Sequence, residues 1–309
     1  MPSPRILDAI GNTPLVELRH LVPAGCARVV AKLESANPTG SMKDRMARAM
    51  IERAAAEGRL SPGGTVVEYT AGTTGISLAL VCAALGYRAH FVYSDAFSEE
   101  KRYTMRAYGA TITDVASDDR KITEQLIKRM ISASKEISRR PGHWWCDQLN
   151  NPDGESGYHR LGEEIWQQAG QRVDALVHVV STAHSIHGTA RALRRRNPDL
   201  RVVAVEPAES AVLSGKPSGS HKIEGIGIGF TPPLWKPNEV DDILTVTTEE
   251  AKHMARRLAR EEAIFAGSST GANVIAAIRV AERLGPRSTV ATIVVDSGLR
   301  YVSTDVFRA

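Results

Sequence analysis

Short apolar runs rich in β-branched residues alternate along this chain with longer stretches whose apolar residues recur at helical spacing. Most of the apolar runs are continuous, which is typical of parallel strands that are buried on both faces. The pattern predicts strands at 27–33, 65–69, 88–93, 111–115, 175–180, 201–205, 243–246 and 290–295. It predicts helices between them, among others at 41–57, 76–85, 99–108, 122–137, 158–168, 186–195, 249–260 and 271–284. This alternation indicates an α/β fold with right-handed crossovers.

Two irregular regions interrupt the alternation. The stretch 139–153 mixes Pro, Gly, Asn and Asp with bulky aromatic residues, and we expect it to join two lobes. One lobe is predicted to span 37–150, and the other to combine 1–36 with 151–309. The segment 214–234 is dense in Gly and Pro, and an irregular segment of this length predicts a functional loop.

The composition is that of an ordinary globular protein, with 42% hydrophobic and 24% charged residues in 309. Lys plus Arg exceed Asp plus Glu by only 39 to 35, an excess too small and too dispersed to predict nucleic-acid binding. No signal-peptide pattern and no uncharged stretch of membrane-spanning length are present, so we expect no membrane partner. The three cysteines at 26, 82 and 146 have no metal-ligand spacing and predict a reducing, cytoplasmic location.

The motifs of several common enzyme classes are missing. The chain has no phosphate-binding GxxxxGK[ST], no GxGxxG after a strand, no GxSxG, no HExxH and no Cys/His ligand cluster, so no metal site is predicted. What remains are four turns rich in Gly, Ser and Thr, each at the end of a predicted strand or the start of a predicted helix: 37–45, 68–76, 180–188 and 295–301.

The first turn carries a lysine at a predicted helix start. Pro38 and Gly40 favour a turn, and Ser41 is a good helix N-cap residue. Lys43 then lies in the first helical turn, where the positive end of the helix dipole disfavours the ammonium form. A lysine of lowered pKa is what Schiff-base chemistry requires. The alternative, a solvated helix lysine, is the simpler interpretation of a lone lysine.

The other turns are compatible with anion binding. The turns 68–76 and 180–188 each connect a strand to a helix, and exposed N–H groups there suit a carboxylate or a phosphate. Each is also compatible with an ordinary structural connection. The turn 295–301 indicates little by itself.

Together the segments carry a specific resemblance. NPTGSMKDR, DQLNNP, KIEGIGIGF, AGSSTGAN and DSGLRY occur in an order, from Ile10 to Thr304, that resembles the cysteine synthase family. These are fold-type II, tryptophan-synthase-β-like enzymes that use pyridoxal 5′-phosphate. The resemblance implies two α/β lobes with mainly parallel sheets covered by helices, the cofactor between them, and a homodimer. The smaller lobe, 37–150, is expected to be mobile and to exclude water by closing over the substrate.

The resemblance also implies residue roles. Lys43 matches the lysine that forms the internal aldimine and moves the α-proton. The residues that match the site for the substrate α-carboxylate are Thr70, Ala71, Gly72, Thr74 and Gln148, with Thr73 toward the cofactor ring oxygen. The residues that match the phosphate cup are Ser181, Thr182, Ala183, His184 and Ser185. Ser297 matches the serine at the pyridine nitrogen; because it is neutral, it suits elimination through an aminoacrylate better than transamination.

The sequence departs from the family pattern in two loops. Where the family has Thr-Ser-Gly-Asn-Thr-Gly, this chain has Ala71 for the serine and Thr73 for the asparagine. Where the family has Gly-Thr-Gly-Gly-Thr, this chain reads Ser-Thr-Ala-His-Ser, so Ala183 and His184 replace glycines that close the backbone on an oxyanion. His184 either contributes to phosphate binding or points to solvent.

The leading hypothesis is β-replacement on an activated L-serine, O-acetyl- or O-phospho-L-serine, by a small nucleophile such as sulfide, giving L-cysteine or a relative. One alternative is β-elimination, of the cysteine desulfhydrase or serine dehydratase type. Another is a non-catalytic relative that serves as a binding or regulatory protein, which only the altered loops favour.

Overall fold

A computed structural model describes residues 5–120 and 122–308. Its strands are β1 (Leu15–Glu17), β2 (Arg28–Leu33), β3 (Thr65–Tyr69), β4 (Arg88–Ser94), β5 (Thr111–Val115), β6 (His143–Trp145), β7 (Ala175–Val179), β8 (Arg201–Pro207), β9 (Asp242–Val246) and β10 (Thr289–Val294). Its α-helices are α1 (Lys43–Ala56), α2 (Thr73–Leu85), α3 (Glu99–Ala107), α4 (Glu124–Ile137), α5 (Asp153–Ser156), α6 (His159–Gln168), α7 (His184–Arg194), α8 (Thr248–Glu261) and α9 (Ser268–Leu284). Within the described ranges, no helix is both long enough and apolar enough to cross a membrane.

The chain divides into two compact units. The smaller unit consists of the described residues up to Ile10 and of Lys43–Gly157, and the larger unit of Gly11–Met42 and the described residues from Tyr158 onward. The sequence predicted boundaries at 37 and 150 and placed the N-terminal residues in the larger lobe. The first four residues of that prediction lie outside the described residues.

The smaller unit is built on a four-stranded parallel sheet of order β5-β4-β3-β6. Every residue of β3 is buried, as expected of a strand with neighbours on both sides and helices on both faces. Helix α2 is apolar around its whole circumference, and nine of its residues are buried, so it is a core helix. It ends at Gly86, whose φ of +76° is the left-handed conformation that glycine adopts at a helix end.

The larger unit contains a six-stranded sheet of order β1-β2-β10-β7-β8-β9. Only β1 is antiparallel to its neighbour, and all other pairs are parallel. Because β2, β10 and β7 are adjacent and parallel, the segments that follow them lie at the same edge of the sheet. This edge therefore collects three of the predicted functional turns: the one that begins at 37, the one at 180–183 and the one at 295–301.

The predicted α/β class with mainly parallel sheets is confirmed, and all eight predicted strands occur within two residues of their predicted ends. The prediction missed β1, β6 and α5, which have three or four residues each. Strand β6 lies inside the stretch 139–153 and pairs with β3, and the interpretation of that stretch as a joint stays a prediction. Helix α7 begins at His184, two residues before its predicted start. The segment 214–234 contains neither helix nor strand, and its function stays a prediction.

Candidate active site

The turn before α1 is fixed to the end of β10 within the larger unit. Gly40 has a φ of +76°, which glycine adopts at little cost, and its carbonyl accepts a hydrogen bond from Ser297 N–H at 2.9 Å. The Met42 N–H donates to the Val295 carbonyl at 3.0 Å. Lys43 follows immediately as the first residue of α1. The backbone that leads into Lys43 is thereby held on the last strand of that unit.

Lys43 has only 9% of its surface exposed, so the alternative of a solvated helix lysine is wrong. The predicted N-cap role of Ser41 is wrong as well, because Ser41 forms a β-bridge with Asp296 and the helix begins two residues later. The physical reason is that the end of β10 engages this stretch of backbone before the helix can start. The chemical role of Lys43 stays a prediction.

The loop after β3 is organised by one hydroxyl group. Thr70 Oγ1 accepts hydrogen bonds from Gly72 N–H at 2.9 Å and from Gly75 N–H at 3.0 Å, and Thr70 is 1% exposed. This holds the chain at the start of α2, which begins at Thr73. The first N–H groups of a helix have no acceptor within the helix, so the loop presents donors suited to a carboxylate. Ala71 and Thr73 are half-buried at its surface.

Gln148 joins this loop from a distant part of the smaller unit. Its Oε1 accepts a hydrogen bond from Thr74 Oγ1 at 2.9 Å, and its Nε2 donates to the Tyr69 carbonyl at 3.0 Å. The Thr74 hydroxyl proton is thus directed at Gln148. Since an amide nitrogen carries two hydrogens, Gln148 retains one N–H for a further acceptor. The structure brings the predicted carboxylate-binding residues together, although 74 positions separate Thr74 from Gln148.

Beneath the loop lies a buried carboxyl group that the sequence interpretation missed. Glu68 is fully buried in β3 and accepts hydrogen bonds from Tyr69 N–H at 3.0 Å and from Gln148 N–H at 2.9 Å. Desolvation raises the pKa of Glu68 to about 8, and the nearby Asp147 charge acts in the same direction, while the two N–H groups oppose the rise. A glutamate inside an otherwise apolar strand was the available sequence signal.

Close packing explains two of the loop glycines. Gly72 has a φ of +116°, and a Cβ atom there would lie 2.4 Å from Lys101 Cδ. A Cβ atom at Gly75 would lie 2.4 Å from Met105 Sδ. Lys101 is itself only 2% exposed, so its aliphatic chain forms part of the packed underside of the loop.

The predicted phosphate cup lies in the larger unit between β7 and α7. Ala183 caps α7 with a φ of +71°, the left-handed conformation that a glycine would adopt at less cost. Ala183 is 2% exposed, and Ser181 is half-buried. The turn therefore adopts a conformation suited to glycine without containing one.

His184 is buried, so the alternative in which it points to solvent is wrong. Its Nδ1 lies 2.8 Å from Thr182 Oγ1, and both residues are at most 4% exposed. The Ser185 hydroxyl is engaged by His178, a strand residue that the sequence interpretation did not single out. Its sequence signal was a histidine within the apolar run of β7.

The donor groups at this turn fit a phosphate group. Helix α7 has eleven residues, and the N–H groups of its first turn lack acceptors within the helix. Ser181 lies in this turn and Ser185 is the second residue of α7, so both hydroxyls are near the helix start. No carboxylate belongs to this stretch. The arrangement favours an anion through the helix dipole and through neutral hydrogen-bond donors.

Ser297 follows β10 and caps a short 3-10 turn at Gly298–Arg300. Its Oγ accepts a hydrogen bond from Leu299 N–H at 3.3 Å, and this leaves the hydroxyl proton for another acceptor. The neighbouring Asp296 accepts a hydrogen bond from the Tyr301 hydroxyl at 2.7 Å. Burial raises the pKa of Tyr301 well above its ordinary value, with the Asp296 charge next in importance, so this phenol stays a donor.

Comparison with known proteins identifies the class of protein. Residues 6–296 match the family model described as pyridoxal-phosphate dependent enzyme.

Similar proteins narrow the class. A cysteine synthase of Staphylococcus aureus (strain Mu50 / ATCC 700699) is 41% identical over 309 residues, covering 99% of this chain and 97% of that protein. A solved cysteine synthase (OASS) of Entamoeba histolytica has a TM-score of 0.90 at 35% identity, with 100% and 94% covered. An O-acetylserine dependent cystathionine β-synthase of Helicobacter pylori has a TM-score of 0.92 at 35% identity, with 100% of both chains covered. The chain belongs to the cysteine synthase family of pyridoxal-phosphate-dependent enzymes.

Proposed function

We propose that this protein catalyses β-replacement on O-acetyl-L-serine or another activated L-serine, with sulfide or a related small nucleophile as the second substrate. The observation that carries the proposal is the 41% identity to a cysteine synthase over 99% of the chain. The name of the Helicobacter pylori relative contains O-acetylserine but describes a cystathionine β-synthase. The proposal therefore names the activated serine more narrowly than the nucleophile.

Two groups of residues carry the proposed binding roles. In the larger unit, the helix start at His184 with the Ser181 and Ser185 hydroxyls binds the cofactor phosphate, and Ser297 donates to the pyridine nitrogen. In the smaller unit, the loop Thr70–Thr74 orients the α-carboxylate through its N–H groups.

Lys43 is the residue that transfers the proton. The cofactor, when bound, supplies the electron sink that makes the α-proton of the amino acid acidic. Lys43 Nζ would hold the cofactor until the amino group of the substrate displaces it, and the freed neutral amine would then take this proton, which the ammonium form cannot do. The α-carboxylate is held meanwhile by the loop and by the remaining N–H of Gln148.

Product analysis tests the reaction. The protein is incubated with O-acetyl-L-serine, with and without sulfide, and L-cysteine, pyruvate and ammonia are measured. Replacement predicts L-cysteine and acetate when sulfide is present and little pyruvate when it is absent. Pyruvate and ammonia as the main products would establish elimination instead. Absence of both products, in a protein without yellow absorbance, would establish a non-catalytic relative.

Lys43→Ala tests the assignment of the lysine. The variant is expected to lose the absorbance of the lysine-bound cofactor together with turnover. Lys236→Ala, at a half-buried position in the larger unit outside the proposed site, is the control. A Lys43→Ala protein with the parent's absorbance and rate would refute the assignment.

Two further proposals concern the oligomeric state and the location of the protein. The family likeness supports a homodimer, which sedimentation equilibrium tests directly. Free cysteines at positions 26, 82 and 146 support a reducing, cytoplasmic location.

A further inference from the structure

A buried chain of three polar side chains lies behind the phosphate cup in the larger unit. His178, in β7, is 1% exposed, and its Nε2 lies 2.9 Å from Ser185 Oγ. Its other ring nitrogen, Nδ1, lies 3.2 Å from Asn273 Nδ2. Asn273 is fully buried in α9, so the chain of contacts runs through the core from α9 to the start of α7.

The backbone determines which way the Asn273 amide points. Its Oδ1 accepts a hydrogen bond from Val179 N–H at 2.7 Å, so this atom is the oxygen. Its Nδ2 donates to the Ile293 carbonyl at 2.7 Å. The second hydrogen of Nδ2 is then directed at His178 Nδ1. Each of the three polar contacts of this amide has a unique donor and acceptor.

The amide in turn determines the tautomer of His178. An N–H donor directed at Nδ1 requires a lone pair there, so the ring proton of the neutral imidazole is on Nε2. Nε2–H therefore donates to Ser185 Oγ. A hydroxyl oxygen that accepts this bond keeps its own proton for an acceptor on another side.

We propose that His178 is a positioning residue that turns the Ser185 hydroxyl into a donor for the cofactor phosphate. A serine lacks the β-methyl group that restricts the χ1 angle of threonine, so an external donor has to restrict its rotation. Asn273 fixes the proton on His178, and His178 fixes the hydroxyl. The inference rests on the proposed function, because it takes the phosphate as the acceptor.

Cofactor binding by four variants tests the proposal. His178→Leu removes the donor to Ser185, and His178→Gln keeps an N–H donor at a similar distance from the backbone. Ser185→Ala removes the hydroxyl, alone and together with His178→Leu. Each cofactor-free protein is titrated with pyridoxal 5′-phosphate and, as a matched probe, with pyridoxal, which lacks the phosphate.

The loss of affinity in His178→Leu is expected for pyridoxal phosphate and not for pyridoxal. A correctly oriented hydrogen bond to a charged group predicts a roughly tenfold or greater loss of pyridoxal-phosphate affinity in His178→Leu. Pyridoxal affinity is expected to stay unchanged, and His178→Gln to stay within about threefold of the parent, as a retained donor requires. On the Ser185→Ala background, His178→Leu is expected to add less than about threefold, because the two act through one bond.

Several outcomes overturn the proposal. Equal losses for pyridoxal and pyridoxal phosphate would indicate a merely structural role, and so would full additivity with Ser185→Ala. Nitrogen-15 NMR of the unmutated, cofactor-free protein measures the tautomer without any variant. A proton on Nδ1 of His178 would refute the argument even if the variants fail to fold. Failure of the parent to bind pyridoxal phosphate would refute the proposed function itself.

Discussion

The buried carboxyl group of Glu68 predicts a measurable loss of stability as pH rises. Its folded-state pKa of about 8 lies above the ordinary value of 4.5, so the folded protein binds a proton that the unfolded chain releases. The stabilisation is fully present below pH 4.5 and is lost as pH rises through about 8. The reason is that burial makes the ionised form costly in the folded state only.

The magnitude follows from the interval between the two pKa values. The interval spans about 3.5 pH units, and each unit lowers the free energy of unfolding by about 1.4 kcal/mol. Glu68 therefore removes roughly 5 kcal/mol of stability from the smaller unit between mildly acidic and mildly alkaline pH. This is comparable to the whole stability of many domains.

Urea unfolding at several pH values between 5 and 8 is the assay. Trp144 and Trp145 lie in β6, in the same sheet as Glu68, whereas Trp166 and Trp235 belong to the larger unit. Replacing the latter two with Phe therefore restricts the fluorescence signal to the smaller unit. Glu68→Gln cannot ionise. The slope of its free energy of unfolding against pH is expected to be less steep than that of the parent, by about 1.4 kcal/mol per pH unit. An amide placed opposite two N–H donors lowers stability throughout, so the slope is the informative quantity.

Glu52→Gln is the matched control, because Glu52 is an exposed glutamate of the same unit. It should leave the slope as it is in the parent. Equal slopes for the parent and Glu68→Gln would refute the reasoning, since they would show that Glu68 is already ionised at pH 5. Carbon-13 NMR of the Glu68 carboxyl group would then show its titration below pH 5.

Two further variants test the loop after β3. Gly72→Ala should destabilise the smaller unit by about 3 kcal/mol, because of its positive φ and the contact with Lys101. Gly86→Ala meets no atom within 4 Å and should cost only about 1 kcal/mol. Urea unfolding compares the two, and equal costs would contradict the packing argument. Thr74→Val removes the donor to Gln148 and should raise KM for the amino acid about tenfold, with the cofactor absorbance unchanged. An unaltered KM would show that this hydrogen bond does not orient the substrate.

Local patterns predicted most of the fold. Strands such as β3 and β7 are largely apolar runs, and their ends are visible as turns in the sequence. The elements that escaped prediction, β1, β6 and α5, are too short to show a period of their own. Their formation depends on a partner, as when β6 pairs with β3, and sequence spacing does not show that partner.

The site shows the same division between local and long-range information. The Thr70–Thr74 loop and the start of α7 could be located from Gly, Ser and Thr at strand ends. The burial of Lys43 and the contact of His178 with Asn273 could not, because tertiary packing determines both. Residues 95 positions apart become neighbours only when α9 packs on β7.

The strand order of the larger unit has a consequence for biosynthesis. Strand β10 is made last, yet it lies between β2 and β7. Until β10 has left the ribosome, these two strands each present an open edge, which is a template for wrong pairing. The sheet of the smaller unit, by contrast, uses only residues between Thr65 and Trp145 and can form while the rest is being translated. A nonsense mutation shortly before Thr289 should therefore yield an aggregating product, even though most of the chain would be present.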